Sequence, residues 1–128
     1  MIPFYTNDAM KKNTIEVIKH ARHLIDEYGW VQCKSGDRET GFCLTGACIE
    51  ALEELRVDEV YQPVIKALSA QLEDEKAEVV RAEDESLVVY TARQRATALQ
   101  RYNDATNRTS EEIFALFDDS LERLAEDG

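Results

Sequence analysis

Three stretches of this chain space their apolar residues as an α-helix does, and that spacing limits what the chain can fold into. In the first, Ile15, Ile18, Ala21, Leu24, Ile25 and Tyr28 fall on one face, the i, i+3, i+4 repeat of a helix with one buried side. Asn13 stands where a cap belongs, Glu16 follows three residues on, and Gly29 supplies a left-handed stop. The spacing predicts a helix over 14–28. A second helix is predicted over 42–55, with Cys43 or Leu44, Ala47, Cys48, Ala51, Leu52 and Leu55 inward. Gly46 and Ala47 keep one side of it slim, room for a neighbouring helix. The last is predicted over 110–125, capped by Thr109 or Ser110, with Ile113, Phe114, Phe117, Leu121 and Leu124 as its stripe.

The segments between are read less directly. Residues 1–12 show no period and read as an arm. Residues 31–40 are polar, and Ser35, Gly36 and Asp37 mark a loop. Asp58 is a plausible cap for a third helix. Pro63 removes a backbone donor, so the regular helix is expected over 62–72, with Val64, Ile65, Leu68 and Leu72 on its apolar face. Residues 73–85 carry seven acids against Lys76 and Arg81 and read as an acidic surface segment. Within 77–90, Val79-Val80 and Leu87-Val88-Val89-Tyr90 fit a short β-hairpin or a loop leading into a helix. Helix is expected again from Thr91 to about Tyr102, then a turn over Asn103–Arg108. The expected fold is mainly α: a compact bundle of four to five helices in one domain, 1–128.

Charge and cysteine usage narrow the function classes. The formal net charge is −11 over 128 residues. That balance disfavours general binding to nucleic acid, which needs clustered Lys and Arg, and equally an anionic membrane surface. It suits solubility, or docking on a basic protein partner. No run approaches the roughly 18 apolar residues of a membrane span, and no signal peptide is evident at Met1-Ile2-Pro3-Phe4. Three cysteines, Cys33, Cys43 and Cys48, read as reduced thiols of the cytoplasm. No cofactor motif is present, and the oligomeric state is open.

Several short motifs carry a likeness. Gly29-Trp30 closes the first helix, Phe42-Cys43-Leu44-Thr45-Gly46-Ala47 opens the second, and Tyr102-Asn103-Asp104 followed by Arg108-Thr109 precedes the last. This order resembles a family of small domains of unknown function from actinobacteria and their bacteriophages. Its pattern is Gly-Trp, Cys-Leu-x-Gly-Ala, Trp-Asn-Asp and Arg-Thr before a final helix. Tyr102 departs from it, keeping an aromatic anchor but adding a hydroxyl. The resemblance implies origin in a phage or its host and brings no activity with it.

The candidate chemistry is sparse. Cys43 is a nucleophile candidate because a helix N-terminus favours a thiolate. A cysteine hydrolase also wants a histidine, and only His20 and His23 exist, both on the first helix. Cys43 is read more simply as a small buried hydrophobe. The two histidines, with Asp26 and Glu27, lack the further ligands of a metal site, and none is expected. Asn103, Asp104, Arg108 and Thr109 form the densest polar cluster. With Trp30 and Cys43 they are the candidate ligand-binding residues, and Asp104 joins Cys43 as a weak catalytic candidate. A purely structural role is open to each as well. Asn and Asp shape a turn, Thr109 caps, and Arg108 bonds Asp104. Two functions follow. One is a small acidic interaction protein, phage-encoded or phage-derived, that binds a host or phage protein. The other is a small enzyme or ligand binder with a site around Cys43, Asn103, Asp104 and Arg108.

Overall fold

The computed structural model describes residues 7–70, 72 and 92–126. Five helices lie among them: α1 (Asn7–Tyr28), α2 (Leu44–Leu55), α3 (61–70), α4 (Ala92–Asp104) and α5 (Ser110–Glu126). A two-stranded antiparallel hairpin, β1 (Gly36–Asp37) and β2 (Gly41–Phe42), sits between α1 and α2. The fold is mainly α, as the helical spacing predicts. The segment 77–90, whose sequence fits a hairpin or a loop, lies outside the described residues.

α1 starts earlier than its apolar repeat. Residues 7–12 are helical rather than an arm, because they hold neither Pro nor Gly and Asp8 places an acid in the first turn. Asn13 is therefore not a cap. Thr14 extends the buried face: it is 2% exposed, and its hydroxyl donates to the Met10 carbonyl at 2.7 Å. Val17 is fully buried and Ile15 only partly, so the true stripe lies one position off the expected one at this end.

α2 buries Leu44, Ala47, Cys48, Ala51 and Leu52 as expected, but Leu55 is 40% exposed in its last turn. Its N-cap is Cys43, and Phe42 belongs to β2 instead. After α2 the chain makes one 3₁₀ turn, Asp58–Val60, then α3. Pro63 thus falls in the first turn of α3, where a missing amide costs least. In α5 the buried residues are Ile113, Leu116, Phe117 and Ser120, while Phe114, Leu121 and Leu124 pack only partly. Leu116 therefore joins the stripe beyond the residues expected there.

The core is one apolar cluster drawn from all five helices and β2. It takes Val17, Ile18, Leu24 and Ile25 from α1, the α2 stripe, Val64, Ile65 and Leu68 from α3, Leu99 from α4 and Phe117 from α5. α1 packs against both α2 and α5, and α2 also contacts α4. Leu99 and Asn103 stand four apart, on one face of α4. The face that puts a leucine into the core therefore also drives an asparagine inward, 1% exposed.

Candidate functional site

The site is built where the chain leaves α1. The Gly29 amide donates to Ile25 O at 2.8 Å, and a φ of +104° then turns the chain out of the helix. The next residues run beside β2: Phe42 N donates to Gly29 O at 2.8 Å and Val31 N to Phe42 O at 3.1 Å. The hairpin closes through Asp37, whose Oδ1 accepts from Glu39 N at 2.9 Å and Thr40 N at 2.8 Å. Those bonds, the Thr40 amide first, hold the Asp37 carboxyl below its ordinary range. Residues 31–40 are thus partly a hairpin rather than a plain loop.

Ser35 then meets the start of α2. Cys43 N donates to Ser35 O at 3.1 Å, and a Cβ on Gly46 would come within 2.3 Å of that same oxygen. At Gly46 the slim side of α2 therefore admits a backbone loop, while Ala47 is buried in the core shared with α1. Cys43 caps α2 with sulfur: the Gly46 amide donates to Sγ at 3.2 Å.

Asn103 joins these pieces. Its Oδ1 accepts from Trp30 Nε1 at 2.6 Å and from Leu44 N at 3.0 Å. Its Nδ2 donates to Val31 O at 3.1 Å and to Asp104 Oδ1 at 2.9 Å. Two donors and two lone pairs are all a carboxamide has, and all four are used. Asp104 Oδ1 also accepts from Cys33 N at 2.7 Å. Gln32 Nε2 donates to the carbonyls of Asn103 and Ala105 at 2.9 and 3.0 Å, covering the open end of α4.

Arg108 behaves otherwise than expected. It does not pair with Asp104 but folds back over the Tyr102 ring, 3.7 Å from its centroid, and Nε donates to Tyr102 O at 2.8 Å. Its remaining reach goes to Glu112 at 3.0 Å. The cause is that α4 continues through Asp104: this carboxylate points to the loop after Trp30 while Arg108 lies beyond the turn. Thr109, not Ser110, makes the reciprocal cap with Glu112, with bonds of 3.2 and 2.9 Å. The Thr109 amide, then the nearby Arg108 charge, keeps the Glu112 carboxyl below its ordinary range.

The six candidate residues thus fall into two groups. Trp30, Cys43, Asn103 and Asp104 meet around the start of α2, and Arg108 and Thr109 organise the adjoining turn into α5. Neither histidine joins them. His20 pairs with Glu54 at 2.6 Å and His23 with Glu27 at 2.9 Å. Glu54 and Cys43 stand at opposite ends of α2, about 16 Å apart at its helical rise. Cys43 and Cys48 are buried and unbridged, Cys33 is exposed, and burial pushes the Cys48 thiol up. Among the described residues no group of three His, Cys, Asp or Glu is placed to hold a metal, and no helix is long and apolar enough to cross a membrane.

The sequence reading missed Val31, Gln32, Ser35 and the Cys33 amide. Three of these act through backbone atoms, which every residue has, and so leave no side-chain signal. Asp37 followed three residues later by Thr40 was a visible turn signal.

Neither the curated proteins nor the solved structures contain a match to this chain. Residues 10–123, which take in the whole Trp30–Asn103 junction, match the family of unknown function DUF6197, and the chain belongs to that family.

Proposed function

We propose that this is a protein-binding domain that docks on a basic partner, with the Trp30–Asn103 junction serving as its scaffold. The observation that carries the reading is the outer face of α5. Glu111, Asp118, Asp119, Glu122 and Glu126 are all exposed there, opposite the buried Ile113, Leu116 and Phe117. At 3.6 residues per turn they form one stripe, and Arg22 engages only Asp118 within it, at 2.7 Å. Placement in the cytoplasm, in a phage or a phage-derived locus, rests on the family resemblance and on the three unbridged thiols.

A ligand site around Cys43, Asn103, Asp104 and Arg108 has less support. The Cys43 sulfur is engaged by Gly46 N, Asn103 has no bonding capacity left, and Arg108 is stacked on Tyr102.

The test is affinity capture from bacterial lysate with the native chain and with Glu111→Lys, Asp119→Lys and Glu122→Lys combined. A protein held by the native chain should be lost on charge reversal and eluted by salt, while circular dichroism stays unchanged. Capture of the same proteins by both chains would sink the proposal.

A further inference from the structure

We draw no further inference here: the strongest candidate, the groove where the start of α1, α3 and the end of α5 meet over Ala67, Ala70 and Ser120, carries nothing because nothing in the structure shows what covers it.

Discussion

The indole of Trp30 donates to the side-chain oxygen of Asn103 at 2.6 Å, across 73 residues of sequence. The same oxygen receives the Leu44 amide at the start of α2. One carboxamide thus ties the exit of α1, the start of α2 and the end of α4. Leu44 N belongs to the first turn of α2, where amides have no partner within the helix.

Replacing Asn103 should therefore be costly. Asn103→Ala leaves the Leu44 amide and the Trp30 indole without their acceptor, and the expected loss is about 3 kcal/mol. Asp104→Ala removes only the acceptor of Cys33 N and Asn103 Nδ2, and should lose about 1–2 kcal/mol. Urea unfolding of both variants checks the order; an Asp104 variant less stable than the Asn103 one would contradict this account.

Gly46 is the point where the loop at Ser35 lies on α2. A methyl group there would approach the Ser35 carbonyl to 2.3 Å, a backbone atom that cannot swing aside. Gly46→Ala should lower stability by about 1–3 kcal/mol through overpacking, even though alanine is the better helix former. A thermal midpoint at or above the native value would show that the loop yields freely.

The thiols should separate by burial. Cys33 is exposed, Cys43 and Cys48 are buried, and desolvation keeps the Cys48 thiol protonated well above neutral pH. A bulky disulfide reagent should titrate one equivalent quickly in the native chain and three in denaturant. Raising the pH to about 9, where a free cysteine is largely thiolate, should not add Cys48 to the fast class. Rapid labelling of two or three thiols would refute the burial.

The start of α5 should be acid-sensitive. The folded Glu112 carboxyl is held below its ordinary value by the Thr109 amide and Arg108. A depressed folded pKa contributes stability above the unfolded value, and that contribution disappears as pH falls through the folded one. Glu112→Gln should therefore melt below the native chain at pH 7, and the gap should close below about pH 4. A gap unchanged across that range would assign the effect to cap geometry instead of charge.

The amino-acid sequence by itself determined the helices, because their signal is local: apolar residues at helical spacing, a cap, a glycine stop. It also singled out Gly29-Trp30, Cys43–Ala47 and Asn103–Thr109, the segments that meet. Only the tertiary structure decided how they meet. Asn103 reads as a turn residue, yet it is a core residue of α4, because Leu99 one turn earlier pulls that face inward. Arg108 and Asp104 read as a pair, yet each has a different partner, because Asp104 is still helical and Arg108 lies past the turn. The acceptors and donors that complete the junction are mostly main-chain atoms of Val31, Cys33, Ser35 and Leu44. Any residue supplies those, so their place is set by the path of the chain.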